Sequence, residues 1–446
     1  MNKKNDDHVA RKLRWFAAGM SVRGAIIGAG IFMNPAESAK FLQSSSQLLF
    51  VWALGGFIAF LGALCFAELG TMYPESGGQY IYLEKAFRPW VGFLFGWTLF
   101  STIQTGALAA VSYTCARFIS YFYPMSDLWV SLTAAIIIWT LTAVNIFGVK
   151  PGSIVQNVFT ALKILALIVI IGYGLFFFQP PSGGLGPLFP QGINFKVFNL
   201  LGLALMPVLF SYGGWQNLNF MAGEVRKPER NIPLAIIAGV CVVITVYVFS
   251  NTVFVRALNL DQISGSTRLA ADAMEAMAGG WGGAFVAVAI IVSTFGITNV
   301  FIMSGPRVYF AMAKEKSFFP QAARLHPRYK TPVYSIFFQS LWVTALLFTN
   351  TYGQLLQYVT FGDWIFFALT ALALLVLRKK YPHQRRPYRT WGYPLVPVVF
   401  FLISAAVVVN VFISSPGKSA IGSLIIVGGL PLFYFSRKQR RKDEIS

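Results

Sequence analysis

Lys163 stands inside the apolar run VFTALKILALIVII (158–171). A lysine at the centre of a membrane helix costs roughly 2.5–3.5 kcal/mol on insertion scales, so it is a functional residue by default. Apolar residues continue beyond it, which makes snorkelling to an interface difficult on that side. Two glycine-rich stretches offer groups of complementary chemistry: GAIIGAGIF (24–32) and FSYGGWQN (210–217). Each interrupts an apolar segment, WFAAGMSVRGAIIGAGIFMNPAESAKF (15–41) in the first half and VFNLLGLALMPVLFSYGGWQNLNFMAGEV (197–225) in the second.

An interrupted helix in lipid leaves N–H and C=O groups that need partners. At the first break, a half-helix predicted from Gly30 would present the N–H groups of Gly28, Ala29 and Gly30. Those donors, at the positive end of a helix dipole, suit a carboxylate. The half-helices ending near Ile26 and Ile27, and near Phe210 and Gly213, leave carbonyls that suit an ammonium. Both sets together are complementary to a zwitterion, of which an α-amino acid is the obvious small example. Its side chain would project toward the second break. The plain alternative is a kink tolerated by packing, since glycine is common in membrane helices. Two breaks in corresponding positions of two halves favour a transporter's substrate site.

The elements that must hold these groups are membrane spans. Hydrophobic residues make up 56% of the chain and charged residues 12%, with a mean hydropathy of +0.61. That is the balance of a polytopic membrane protein. Twelve spans are predicted, near 14–41, 46–72, 86–118, 126–147, 153–178, 197–225, 231–256, 282–313, 332–349, 352–378, 393–413 and 418–436. All belong to one membrane domain covering 1–446, flanked by short tails at 1–13 and 437–446.

The net charge of +20 could suggest nucleic acid, but its distribution argues otherwise. Alternating loops hold most of the Lys and Arg, while the intervening ones hold only Lys40, Arg117, Lys196, Arg256, Arg268 and Lys418. Positive charge marks the cytoplasmic side, which puts both termini inside. The runs RKKYPHQRRPYR (378–389) and RKQRRK (437–442) are then expected to be solvated and to face lipid headgroups. The N-terminus has no pattern of a cleaved leader. Cys65, Cys115 and Cys241 all fall in apolar spans and are expected to be small core residues. His8, His326 and His383 form no metal-ligand pattern, and no ATP-binding loop is present. An enzyme or ATP-driven pump is not supported, and no cofactor is expected.

FSYGGWQNLNFMAGEVRKPERNIPLAI (210–236) resembles the sixth-span signature of the L-type amino acid transporters, within the amino acid–polyamine–organocation superfamily. GAIIGAGIF, YPESGGQYIYLEKAF (73–87), SGPRVYFAMAKEKSFFPQAARLHPRYKTPVYSI (304–336) and LRKKYPHQRRPYRTWGYPLVP (377–397) agree with it across essentially the whole chain. The resemblance implies the leucine-transporter fold, with discontinuous helices 1 and 6. Spans 1–5 (14–178) and 6–10 (197–378) would be inverted repeats, followed by two further helices (393–436). It also implies sodium-independent amino-acid antiport at the cell membrane.

By the same resemblance Gly28, Ala29 and Gly30 would bind the substrate carboxylate. Ala29 stands where relatives often have serine. Ile26, Phe210 and Gly213 would offer carbonyls to the amine, with Phe210 also an aromatic gate. Tyr212, Trp215 and Gln216 would line the pocket, although Trp215 could equally be packing. Lys163 matches the family's fifth-span lysine, whose ammonium replaces a sodium ion. Its implied partners are carbonyls of the first break and a span-8 hydroxyl, Ser293 or Thr294.

Two residues depart from the pattern. Arg23 lies in the inner half of span 1, where relatives carry an apolar residue. Asp363, in VTFGDWIFF (359–367), stands where several relatives have a neutral polar residue. It could be a proton site, favour a cationic side chain, or pair with Lys163 or Arg23. Glu68 and Tyr247 are weaker candidates for coupling. Bulk near Gly213 and Gly214 would restrict the pocket, which favours small neutral L-amino acids. The loop ISYFYPMSDLW (119–129) has no cysteine, so no disulfide-linked heavy subunit is expected. The expected partners are small amino acids and membrane lipids. A proton-coupled amino acid or polyamine symporter is the main alternative, and an amino-acid-sensing receptor or channel a third reading.

Overall fold

The computed structural model describes residues 13, 15–147, 149–179, 185–190, 192, 194–266, 268–315, 317–349 and 352–434. The tail residues 1–12 and 437–446 lie outside them. The described chain is helical, apart from one isolated bridge between Leu13 and Val225. Ten of the described helices are long and apolar enough to cross a membrane. Two shorter apolar helices, Lys196–Tyr212 and Val333–Thr349, coincide with the other two predicted spans. The first of these is short because the second break ends it.

The first predicted span divides into α1 (Trp15–Ile26) and α2 (Ala29–Ala39), followed by α3 (Ser45–Met72). Ser44 caps α3 by accepting a hydrogen bond from the Gln47 amide. The predicted third span, 86–118, is less regular than expected. A short buried helix α4 (Gln79–Ala86) precedes it. The span itself starts at Pro89 as α5 (Pro89–Thr98), passes through a π turn at Leu99–Ile103, and continues as α6 (Gln104–Ile119). Proline at the first turn explains the boundary, because its missing N–H would be unpaired there anyway. The first half continues with α7 (Asp127–Ile146) and α8 (Val149–Gly172).

The second broken span gives α9 (Phe195–Tyr212), capped by Asn194, and the single turn α10 (Asn217–Phe220). Then come α11 (Pro228–Ala257), α12 (Leu260–Gly265), α13 (Leu269–Ala278) and α14 (Gly280–Lys314). The chain ends in α15 (Val333–Thr349), α16 (Tyr352–Lys380), α17 (Leu395–Ser414) and α18 (Pro416–Val427).

Large apolar side chains point outward over much of the surface, among them Phe57, Ile136, Leu165, Leu402 and Leu424. Lys163, Glu68, Asn299 and Gln339 are wholly buried. A surface this apolar suits lipid and not water. The broken helices sit inside: α1 packs against α8, α11 and α14, while α2 and α3 flank α9. Cys65 and Cys115 are buried, but Cys241 is exposed on the outer face of α11, correcting the core expectation for it.

Glu68, a candidate for coupling, is engaged in a buried ion pair. Its carboxylate accepts from Arg378 Nε at 2.8 Å and Nη2 at 2.6 Å, and from the Thr390 amide at 2.7 Å. Arg386 Nε lies 3.6 Å away. The 378–389 run is therefore tied down at two arginines, not simply solvated as expected. Arg307 is buried in α14 and pairs with Glu224 at 2.9 Å. Breaking a buried pair leaves an uncompensated charge, at about 3–5 kcal/mol. Glu68→Gln should therefore lower thermal stability in detergent by several degrees. An unchanged melting temperature would show that the Glu68–Arg378 pair holds nothing together.

Candidate functional site

α1 ends at Ile26 because Ile27 and Gly28 leave helical geometry, and α2 restarts at Ala29, one residue earlier than predicted. Gly28 is extended (φ −126°, ψ −158°), and no side chain caps α2. The first amides of α2 therefore have no acceptor within the helix. Ala29 contributes backbone to that turn; its side chain lies outside the described residues. At the second break α9 ends at Tyr212. The Gly213 amide returns to the Phe210 carbonyl at 3.0 Å, and Gly214 has φ +112°.

The two breaks interlock. A Cβ on Gly30 would fall 2.5 Å from Ser211 Oγ and 2.9 Å from its Cα. A Cβ on Gly214 would fall 2.6 Å from the Ala25 carbonyl oxygen. Each glycine thus lets the other half's backbone approach. Asn34 Nδ2 strengthens the contact, donating to the Pro207 carbonyl at 3.0 Å and to Ser211 Oγ at 2.8 Å. The Tyr247 hydroxyl lies between two carbonyls, Ile26 at 2.8 Å and Ser211 at 3.1 Å, one from each break.

Lys163 is fully buried in α8. Its Nζ donates to the carbonyls of Gly24 at 2.7 Å and Ile27 at 2.6 Å. A cation here satisfies carbonyls orphaned where α1 ends and meets the negative end of its dipole. Of the two expected hydroxyls, Ser293 reaches the same Ile27 carbonyl at 3.4 Å. Thr294 bonds instead to Ile290 and Ile291 of its own helix, as a hydroxyl on a helix readily does. The Ile27 carbonyl is thus engaged by Lys163 and Ser293 and the Ile26 carbonyl by Tyr247, while Ile26 also lines the cavity.

A cavity of about 50 Å³ lies where the breaks cross. At roughly 10–15 Å³ per water it holds only a few waters, the scale of a small solute. Ile26, Gly28, Gly30, Phe210, Gly213, Gln216 and Asp363 line it. Tyr212 and Trp215 do not. Tyr212 turns to a cluster with Trp52 and Tyr247, and Trp215 stacks on Phe367 at 5.3 Å and meets Phe66 edge-on at 4.6 Å. For Trp215 the packing alternative is what the geometry displays. Gln216 lines the cavity yet accepts from the Gly214 amide at 2.9 Å, so it also braces the break.

Asp363 forms no ion pair with another described residue; neither Lys163 nor Arg23 reaches it. Arg23 instead lies along α1, with Nη1 at 3.9 Å from Met20 Sδ. The wall also contains residues absent from the sequence expectation. Asn217 donates to the Gly214 carbonyl at 3.0 Å and accepts from Ser304 at 2.6 Å. Gln104 donates to Ser304 at 3.0 Å and to the Phe301 carbonyl at 3.1 Å. Gln104 was findable as a lone amide inside an apolar span. Ile297, Phe301 and Val359 carry no such signal.

The model of the amino acid permease family matches residues 13–434. The serine/threonine exchanger SteT of Bacillus subtilis is 29% identical over 439 residues, covering 98% of this chain and 99% of SteT. The human large neutral amino acids transporter small subunit 2 is 33% identical over 94% of this chain and 78% of its own length. The mouse b(0,+)-type amino acid transporter 1 is 31% identical over 92% of this chain and 85% of its own.

Proposed function

The chain belongs to the amino acid permease family, among the L-type amino acid transporters, and from that premise we propose that it exchanges small neutral L-amino acids, independently of sodium, by alternating access. It is a multi-pass membrane transporter and not an enzyme. The position of Lys163 carries the sodium-independent reading: its ammonium bridges the end of α1 where a bound cation would otherwise be needed. In this reading the amides of Gly28, Ala29 and Gly30 take the substrate carboxylate, and the carbonyls of Ile26, Phe210 and Gly213 take its amine. The small cavity favours side chains of serine or alanine size, in keeping with the named substrates of SteT.

The proposed organisation has twelve crossings, with inverted repeats at 14–178 and 197–378 and two further helices at 393–436. Both tails are cytoplasmic, in the plasma membrane. Relatives named as small subunits imply a companion subunit for those proteins. Because 119–129 lacks a cysteine, we assign this chain no disulfide-linked partner. Uptake into proteoliposomes with and without internal amino acid tests exchange. Labelled serine or alanine should enter only loaded vesicles, equally with sodium or choline outside. Equal entry into empty vesicles would overturn exchange.

The cavity-facing carboxylate of Asp363 favours one second reading, proton-coupled symport. Asp363→Asn separates the two. For an exchanger whose Asp363 faces the substrate side chain, the arginine-to-alanine uptake ratio should fall about tenfold, equivalent to about 1.4 kcal/mol of discrimination. The pH profile between roughly pH 5 and 8 should keep its shape. A profile that flattens with selectivity unchanged would assign Asp363 to proton coupling.

A further inference from the structure

A second cavity of about 410 Å³ lies between α2, the end of α6 and the start of α13. Met33, Tyr113, Thr114, Arg117, Tyr121 and Arg268 are on its wall. It shares two helices with the central cavity. Val111 of α6 and Gly30 of α2 line the central one, and Thr114 and Met33, three residues further along the same helices, line the second. Three residues of helix rise about 4.5 Å, so the two cavities are neighbours along the same two helices.

Its cations are only loosely held. Arg117 donates to Asp127 at 2.8 Å and to the Tyr113 hydroxyl at 2.9 Å. Arg268 donates to Asp272 at 2.9 Å and lies 5.2 Å over the Tyr121 ring. Their side chains are 44% and 47% exposed, so both pairs are solvent-screened and exchangeable. Each guanidinium offers five N–H donors in a planar fork that fits a carboxylate. Two such forks are contributed by separate elements to one concave wall.

We propose that this cavity is a docking site that takes an arriving amino acid by its α-carboxylate, between Arg117 and Arg268, before it enters the central cavity. The ligand's carboxylate competes there with those of Asp127 and Asp272. This rests on the transport reading, and the test separates the two. In vesicles assayed from each side, the double variant R117Q/R268Q should raise KM about tenfold from the docking side only, with the maximal rate retained. Equal KM changes from both sides, or none, would overturn the proposal.

A reporter independent of transport is S120C in a C241S background, since Ser120 also lines the cavity. An anionic thiosulfonate should label it several-fold faster than a cationic one, and alanine should protect it. R117Q/R268Q should abolish both effects. Equal labelling by the two reagents, or protection by chloride as effective as by alanine, would overturn an amino-acid site. Reagent preference and alanine protection without any uptake would sink the transport reading while leaving the site standing.

Discussion

Lys163→Ala should reduce exchange in proteoliposomes by about a hundredfold or more, with membrane insertion intact. The substitution leaves the Gly24 and Ile27 carbonyls without their shared donor. Each buried orphan costs about 1–3 kcal/mol, and about 2.7 kcal/mol is a hundredfold in an equilibrium. Ser293 reaches only Ile27, and at 3.4 Å it cannot replace an ammonium. Insertion should survive because removing a charge from a span is not unfavourable. Lys163→Arg should fail to rescue, since the planar guanidinium needs more room than a compact ammonium. The decisive measurement is the initial rate of serine-for-serine exchange at matched protein density. A Lys163→Ala rate within a few-fold of wild type would refute a bridging role.

The second large effect separates glycines that look alike in sequence. Gly30→Ala and Gly214→Ala should each abolish binding and lower the melting temperature. At Gly30 the new Cβ meets the Ser211 Cα, which cannot rotate away. At Gly214 it meets the Ala25 carbonyl, and φ +112° is unfavourable for any L side chain. Overpacking costs about 1–3 kcal/mol, and a left-handed backbone adds about 1–2. Gly28→Ala should be milder, because its Cβ meets only Ile297 Cδ1, the far end of a side chain that can turn. Scintillation proximity binding of labelled serine, beside thermal melts, would rank the four break glycines. A Gly28 variant as damaged as Gly30 would show that the contact between breaks is not the limiting one.

Much of this was legible before any coordinates. Broken apolar segments, a lysine with nowhere to snorkel and an alternation of basic loops follow from local composition, which the membrane makes strict. What escaped depends on which residues face each other across helices. Nothing in the spacing of Glu68 and Arg378 announces that they meet. Tyr212 and Trp215 flank Gly213 and Gly214 in sequence, yet the end of α9 turns their rings away from the cavity. The sequence marked a glycine-rich stretch at each break, whereas close approach falls on Gly30 and Gly214 within them. Periodicity marks where a helix stops, but contact depends on the angle at which two stopped helices cross.

The bridge at Leu13 constrains how the molecule can change shape. Its amide donates to the Glu224 carbonyl and its carbonyl accepts from the Arg226 amide, both at 2.9 Å. The residue two before α1 is thereby sewn to the end of the 3-10 turn that follows α10, and Glu224 is anchored in turn to Arg307. A motion that swung α1 alone would tear two backbone hydrogen bonds at once, whereas one that carried α1 and 222–226 together would tear neither. The lower-energy path therefore has the entry to the first broken helix and the exit from the second travelling as a single piece, so two apparent hinges count as one degree of freedom.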